Sequence, residues 1–384
     1  MSPSSPLTPT RPTKSIWIAD QTAQGTSAVL NDEMLGNEPH WFDHSRDILC
    51  MVDTFRLSMT KPIIGIGHSM GASQLVAAAH FHPGLLDALV MVDPPIFMTR
   101  SPSTKAMLRY CFRKPEAYAP RQAAEEATRR SPFFKTWDKQ VLQRFLETVW
   151  GDGPTVTVPD DNSTKPTTPL HMQVRGLIKP NPDHITVAQP VDEDQRYTHP
   201  DIQPTAPVTW PFYSPHSQVA YRFLSTLRPP ALFLLGEGSQ LCDAEELVDR
   251  TNATGTAPGG SGGITAGRVK SVTIPGGHFL PMTNVAGTAE GTSRWLAEQI
   301  GQCQKREEAF KQRWEVKSLA EKQRLDGRVQ EQLKNWDGRP SVKPNQVEAL
   351  IRGRLRGLCR SAVRLLTAIH DPSRFTFHGN RDRY

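Results

Sequence analysis

The sequence predicts an α/β protein built on a mostly parallel sheet flanked by helices, and three observations support this. Residues 63–67, 89–92 and 231–235 form short, continuous apolar runs, as expected of strands that are covered on both faces. An Ala-rich stretch of helical composition, residues 72–82, lies between the first two runs. Strand, helix and strand at this spacing form a βαβ unit, which builds parallel sheets.

The other elements follow from spacing and from breaking residues. The apolar run at residues 15–19 predicts a buried strand near the start of the chain. A further run, Val269–Ile274, predicts the last strand of the sheet. Helical spacing or composition predicts helices over residues 41–59, 121–130, 135–150, 244–252, 292–300, 305–336 and 347–369.

The domain organisation is inferred from where this pattern weakens. Residues 151–211 are rich in Pro and Thr and are too long for a plain connection. They belong to a weakly patterned region that we interpret as a cap or lid inserted into the sheet domain. The predicted segments are a disordered leader (1–14), the first part of the sheet core (15–97), the cap (98–227), the second part of the core (228–302) and a basic helical extension (303–384).

Charge is concentrated at one end of the chain. The 384 residues have a formal net charge of +6, and residues 301–384 carry 19 Lys and Arg against 10 Asp and Glu. The remainder is slightly acidic, so nucleic-acid binding by the core is not expected. No apolar run has the length of a membrane-spanning helix. The five cysteines include no CxxC pair, which argues against a disulfide scaffold or structural zinc site and favours a reducing compartment.

The strongest chemical signal is Gly67-His68-Ser69-Met70-Gly71, a G-x-S-x-G pattern between an apolar strand and a helix of small residues. A serine hydroxyl is a weak nucleophile unless it is placed against a base. The strand-to-helix turn of this motif raises the serine above the sheet, where glycines make room for it. Ser69 is therefore the predicted nucleophile, with a structural turn as the alternative.

The predicted base is His278. Triads on this kind of turn run in the order serine, acid, histidine along the chain, and His278 directly follows the last predicted strand beside two glycines. A loop histidine without catalytic function is the alternative. His68 is interpreted as a support of the turn rather than as the base.

The acid is left open among three carboxylates. It must be buried and bonded to the imidazole in order to hold its tautomer. Asp93 ends the strand over 89–92, whereas Glu237 and Asp243 flank the turn after the strand over 231–235. Ser239 stands in that turn where an aspartate is usual in such folds. Asp93 is preferred, Glu237 and Asp243 are alternatives, and a site without an acid is the remaining possibility.

These residues resemble the α/β-hydrolase superfamily, and within it a fungal group that includes the yeast peroxisomal lipase and hydrolases of toxin biosynthesis. The resemblance implies a serine esterase or lipase-like hydrolase that acts on a small ester or acyl substrate in lipid or secondary metabolism. It implies no metal and no organic cofactor, and a Met70 N–H that stabilises the oxyanion. The matching stretches are 17–20, 25, 30–31, 35–37, 41–44, 46–47, 64–71, 92–94, 211–213, 227–229, 236, 239, 259–263, 277–278 and 281–282.

The resemblance also implies an N-terminally truncated sheet. Members carry about 80 further residues, which build three strands and a loop that donates a second oxyanion N–H. We expect residues 15–19 to take the place of the third strand and to pair with the strand before Ser69. Because the chain ends Asp382-Arg383-Tyr384, which is not a peroxisomal tripeptide, a cytoplasmic location is expected.

The cap is expected to supply the apolar face of the substrate pocket, with simple packing of the cap as the alternative. Aromatic residues and the histidine beside the nucleophile are the candidates: His68, Phe133, Trp137, Trp210, Phe212 and Tyr213.

A different class of function is a non-catalytic interaction protein that keeps the fold. Its contact would be the basic amphipathic helix over 347–369, which could lie on an anionic membrane surface or bind a partner. A solvated helix packed on the body is the plainer interpretation of the same pattern.

Overall fold

The structure is a computed structural model that describes residues 13–36, 40–98, 108–109, 111, 113–118, 120–156, 163–180, 201, 212–241 and 243–336. The leader up to residue 12, Trp210 and the predicted helix over 347–369 lie outside these residues. The chain divides into two compact units, Met1–Ala309 and Phe310–Tyr384. No helix among the described residues has both the length and the apolar character needed to cross a bilayer.

The helices and strands of the described residues follow one another along the chain in a fixed order. They are α1 (Gly25–Leu30), α2 (Trp41–Thr54), β1 (Ile64–His68), α3 (Met70–Phe81), β2 (Ala88–Val92), α4 (Arg121–Arg130), α5 (Lys139–Thr148), β3 (Trp150–Asp152), β4 (Thr164–Pro166), α6 (Leu170–Arg175), β5 (Lys179–Pro180), β6 (Phe212–Tyr213), α7 (His216–Leu224), β7 (Ala231–Gly236), α8 (Ala244–Ala253), β8 (Val269–Ile274), α9 (Leu280–Thr283), α10 (Val285–Glu315), α11 (Leu319–Gln323) and α12 (Gly327–Lys334), with 3-10 turns at Asp32–Met34 and Phe134–Thr136.

The main sheet has four strands in the order β1-β2-β7-β8, all parallel. This confirms the predicted α/β class and four of the five strands predicted for the core. Every residue of β2 and β7 is buried, which explains why their sequences are continuously apolar rather than alternating. Leu89 and Phe233 face α2, α3 and α7, whereas Val90 and Leu232 pack on the other side against Trp295 of α10.

The expected strand at residues 15–19 is wrong. This stretch has no regular structure and is exposed, and Ile16 and Ile18 are 80% and 86% accessible. It is attached through a side chain instead of a backbone ladder, because Trp17 packs on Phe55 with ring centroids 5.0 Å apart. Among the described residues β1 pairs only with β2, so its other edge is open and Ile66 is 57% accessible.

The helices after the sheet also differ from the expectation. One long helix, α10, replaces the predicted helix over 292–300 and the start of the next, since no proline interrupts the sequence from 285 to 315. The second unit, described up to residue 336, contains the end of α10 followed by α11 and α12. Ser318 begins α11 with a capping box, in which its side chain and that of Glu321 exchange backbone hydrogen bonds.

Candidate active site

Ser69 occupies a strained turn between β1 and α3. Its φ of 51° and ψ of −123° lie in a region that residues with a side chain adopt rarely. Gly67 allows the turn, because a Cβ at that position would lie 2.6 Å from the backbone nitrogen of Ala72. Gly71 has no such constraint, since a Cβ there would meet nothing within 4 Å, which corrects the expectation that both glycines make room. The Ser69 N–H donates to the carbonyl of Val92 at 2.9 Å, which fixes the turn to β2.

His278 lies in the turn between β8 and α9, and its imidazole forms hydrogen bonds with both Ser69 and Asp93. Its Nε2 is 2.9 Å from Ser69 Oγ, and its Nδ1 is 2.6 Å from Asp93 Oδ2. Because a carboxylate only accepts, Nδ1 carries the proton and Nε2 is left to accept from the serine hydroxyl. These distances are those of direct hydrogen bonds.

Asp93 follows β2 and is completely buried. Its Oδ2 accepts from His278 Nδ1 and from Ser239 Oγ at 2.5 Å, and its Oδ1 accepts from Gly236 N at 3.3 Å. Its backbone has a positive φ of 45°. The chain therefore turns at the end of β2, and the carboxylate lies beside Ser239 and His278. Three donors thus hold the two oxygens of this buried carboxylate in place.

The two alternative acids, Glu237 and Asp243, do not bond to His278 in the structure. This corrects the sequence analysis, which left them as candidates for the acid. Asp243 is exposed and caps α8, since its Oδ1 accepts from the backbone N–H groups of Glu245 and Glu246 at 3.0 Å. Glu237 is exposed as well. Among the described residues, no hydrogen bond joins its carboxylate to the imidazole.

His68 lies under the loop of the base. Its Nε2 is 2.7 Å from the carbonyl oxygen of His278, and because a carbonyl only accepts, Nε2 must carry the proton. Burial, and after it the nearby His278, lower the pKa of His68 to about 4. The ring is therefore neutral at neutral pH and acts as a hydrogen-bond donor.

A cavity of about 1790 Å³ opens at Ser69 and extends along the free edge of β1. Predicted pocket residues His68, Phe133 and Trp137 line it. Phe133 contacts Phe279, the residue after the base, edge to face with centroids 4.7 Å apart. The predicted cap segment and the loop of His278 thus both supply aromatic residues to the lining of this cavity.

Of the remaining predicted pocket residues, only Tyr213 has a described side chain, and it is not among the residues that line this cavity. Tyr213 lies in the β5–β6 ribbon, is buried, and donates its hydroxyl to Asp201 at 3.0 Å. Its hydroxyl is therefore bound within the polar cluster of Asp201 rather than at this cavity. Phe212 is located only as part of β6, and Trp210 lies outside the described residues.

Comparison with known proteins places the chain in a family. The chain is 30% identical over 329 residues to the type I acyl-CoA thioesterase mpaH' of Penicillium brevicompactum, which covers 79% of this chain and 74% of that protein. The chain belongs to the α/β-hydrolase superfamily. No family model matches it.

Other relatives of this α/β hydrolase are fungal too, as the resemblance predicted. The abhydrolase domain-containing protein ACTT2 of Alternaria alternata is 26% identical over 243 residues, which covers 62% of this chain and 84% of that protein. Among solved structures, the peroxisomal α/β-hydrolase Lpx1 of Saccharomyces cerevisiae matches with a TM-score of 0.52 at 15% identity. That match covers 88% of this chain and 73% of the other, and it supports the fold.

Two site-building residues of this hydrolase have weak sequence signals. Ser239 is noticeable in the sequence only as the residue in place of a usual aspartate. Arg250 of α8 is fully buried, and its guanidinium donates to the carbonyls of Pro94, Ile96 and Leu241 at 3.1–3.3 Å. It thereby ties the chain after Asp93 to the chain after Ser239. A lone arginine in an amphipathic helix gives no indication of this function.

A second polar cluster of the hydrolase joins the residue before α2 to two residues of the predicted cap segment, and it has the donors of a metal site. His40, Asp201 and His216 bring their ligand atoms within 4.8 Å of one another. However, the ammonium group of Lys179 lies 2.7 Å from Asp201 Oδ2. Burial opposes ionisation of Asp201, but hydrogen bonds from His40 and Lys179 outweigh it and keep the pKa of this carboxyl well below its usual range. The cluster is charge-balanced as an ion pair, and we assign no metal to it.

Proposed function

We propose that this protein is a serine hydrolase that transfers the acyl group of a thioester or ester to water through a covalent intermediate on Ser69. The observation that carries the proposal is the continuous hydrogen-bonded chain from Ser69 Oγ through His278 to Asp93. Nucleophile, base and orienting carboxylate are the three components that acyl transfer on an unactivated serine requires.

The first half of the reaction forms the acyl-enzyme. His278 Nε2 takes the proton of Ser69 as the hydroxyl oxygen attacks the substrate carbonyl, and Asp93 stabilises the imidazolium that forms. The developing oxyanion lies at the N-terminus of α3, where the Met70 N–H has no acceptor within the helix and the helix dipole favours negative charge. Collapse of the intermediate expels a thiolate or alkoxide, which takes the proton from His278.

The second half repeats these steps with water. His278 takes a proton from the water as it attacks the acyl carbonyl, and it returns that proton to Ser69 when the ester bond breaks. The product is a carboxylic acid, and the serine is regenerated. Ser69 Oγ and His278 Nε2 are already within hydrogen-bond distance, so no other group is needed to relay the proton between them.

The substrate class is supported by the cavity and by the relatives. Phe133, Trp137 and Phe279 form an apolar wall beside the nucleophile, which favours a bulky apolar acyl group. The Penicillium relative is named an acyl-CoA thioesterase. We therefore propose an apolar acyl thioester as the substrate, with simple esters as slower substitutes.

A fluorophosphonate probe tests the proposal without knowledge of the substrate, because it labels a serine only when that serine is activated. We expect labelling of the full chain, and loss of labelling in Ser69→Ala and His278→Ala. Ser58→Ala is the matched control, since Ser58 is exposed and lies in a turn away from the motif. A folded protein that is not labelled would overturn the proposal and favour the non-catalytic interaction protein.

A further inference from the structure

Ser239 occupies a position that the mechanism above does not use. It is buried in the turn that follows β7. β7 lies next to β2 in the sheet, and Asp93 directly follows β2. Its Oγ lies 2.5 Å from Asp93 Oδ2, the same oxygen that accepts from His278 Nδ1. The residue therefore touches the acid at the atom that orients the base.

The direction of this hydrogen bond is fixed by a second contact. Ser239 Oγ accepts the backbone N–H of Leu241 at 3.1 Å, so one of its lone pairs is occupied. Its own hydrogen then points to the Asp93 carboxylate, which has no proton to give in return. The serine hydroxyl is a fixed donor, and its bond to an anion is of the stronger, charge-assisted kind.

The contact restrains the rotation of the acid. Among the residues that the structure describes, Oδ1 is bonded to Gly236 N alone, at 3.3 Å, so without Ser239 the carboxylate could turn about its Cβ–Cγ bond and withdraw Oδ2 from the imidazole. Ser239 and Gly236 both belong to the end of β7 and its turn, and together they hold the two oxygens from one side. The base then meets the carboxylate in a single orientation.

We propose that Ser239 is a positioning residue of this hydrolase, which acts on the reaction by locking the Asp93 carboxylate toward His278 Nδ1. The proposal rests on the proposed function, since it assumes that Asp93 and His278 are the acid and base of Ser69. Ser239 is not among the residues that line the cavity, so its effect on the reaction is exerted through Asp93.

The first test replaces Ser239 in the full chain and measures hydrolysis of p-nitrophenyl butyrate together with the rate of fluorophosphonate labelling. In Ser239→Ala we expect kcat and the labelling rate to fall about 10-fold, with KM within about twofold, because the lost interaction acts on the chemical step rather than on binding. Ser239→Thr keeps a hydroxyl on the same carbon and is expected to restore most of the rate. Glu237→Gln, an exposed change in the same turn, is the control and should match the wild type.

A second readout separates positioning from stability. The proton on His278 Nδ1 gives its own low-field NMR signal when it is bonded to Asp93, and this signal should shift or broaden in Ser239→Ala but not in Glu237→Gln. A fall in rate with an unchanged signal would overturn the proposal, because the effect would then be structural. Equal rates for Ser239→Ala and wild type would overturn it as well.

The two proposals fail in different ways. Wild-type protein that is not labelled at Ser69 contradicts the proposed function, whereas labelled wild type with an equally labelled Ser239→Ala contradicts only the positioning residue. A double variant adds a positive test, because Asp93→Asn combined with Ser239→Asp moves the carboxylate to the neighbouring strand end. We expect this double variant to exceed Asp93→Asn in rate by at least about 10-fold, since residue 239 already contacts the atom that faces the base.

Discussion

His68 donates its Nε2–H to the carbonyl oxygen of His278 across 2.7 Å, so the residue before the nucleophile holds the loop that carries the base. The bond joins the end of β1 to the turn after β8, the two edge strands of the described sheet. Nucleophile and base are thus positioned by one side chain as well as by their own hydrogen bond. The sequence predicts that His68 supports the turn of the nucleophile. In the structure it supports both Ser69 and His278.

Removing this donor is expected to slow the reaction without abolishing it. In His68→Phe the carbonyl of His278 is left without the ring donor, and we expect kcat to fall about 10-fold, the effect of one hydrogen bond of about 1.4 kcal/mol. His68→Gln, which keeps a donor, should lose less. Ester hydrolysis by the two variants beside wild type measures the difference, and equal rates for all three would contradict the assignment.

The same residue makes stability depend on pH. The pKa of His68 is lowered to about 4 by burial and then by His278, whereas an unfolded chain binds this proton below about pH 6.5. The unfolded state therefore holds more protons in between, and the stability from this group is present above about pH 6.5 and is lost as pH falls toward 4. Over that range the Tm of wild type should fall more than the Tm of His68→Gln. Parallel Tm curves for the two proteins would argue against a buried neutral ring.

The choice among the three carboxylates gives a further prediction. Asp93→Asn keeps the shape of the acid but removes the charge that holds the histidine tautomer, and kcat should fall about 1,000- to 10,000-fold. Asp243→Ala should leave kcat unchanged and lower the free energy of unfolding by about 1 kcal/mol, because that carboxylate caps α8. Kinetics and urea unfolding of both variants test the contrast. A large loss of activity in Asp243→Ala would reverse the assignment.

The fold can be predicted from the sequence because strands that are buried on both faces have continuously apolar sequences. The run Leu232–Leu235 is continuously apolar because helices cover both faces of β7. Such a run can be identified without a structure. The position of His278 after the last strand follows from chain order. In contrast, the acid depends on which strand ends lie next to His278, and that is set by the sheet order β2-β7-β8, which periodicity does not contain.

The failed expectations have the same origin. Residues 15–19 are as apolar as a strand, but composition does not specify a pairing partner, and Trp17 finds Phe55 instead. Tyr213 is aromatic and lies in the predicted cap, yet its hydroxyl binds Asp201 inside that region. Local chemistry identifies which residues are apolar or reactive, whereas the choice of neighbour comes from long-range packing.

The two glycines of the turn around Ser69 should respond differently to alanine. A Cβ at Gly67 would lie 2.6 Å from the backbone of Gly71 and Ala72, which flexible side chains cannot relieve, so Gly67→Ala is expected to cost several kcal/mol of stability (about 3 or more). A Cβ at Gly71 meets nothing within 4 Å, and Gly71→Ala should stabilise α3 by up to about 1 kcal/mol. Thermal unfolding of the two single variants distinguishes them. Equal losses of Tm would mean that both glycines are required for space.

The aromatic wall predicts how activity depends on the length of the acyl chain. Phe133 packs edge to face on Phe279 beside the nucleophile, so a long acyl chain should bury its methylenes against this ring while an acetyl group should not reach it. Phe133→Ala is therefore expected to raise KM for p-nitrophenyl octanoate about 10-fold, equivalent to about 1.4 kcal/mol of lost apolar contact. KM for p-nitrophenyl acetate should stay within about twofold. Phe310→Ala, an exposed phenylalanine of the second unit, is the control and should change neither value. An equal rise in KM for both esters would show that Phe133 supports the site as a whole rather than contacting the acyl chain.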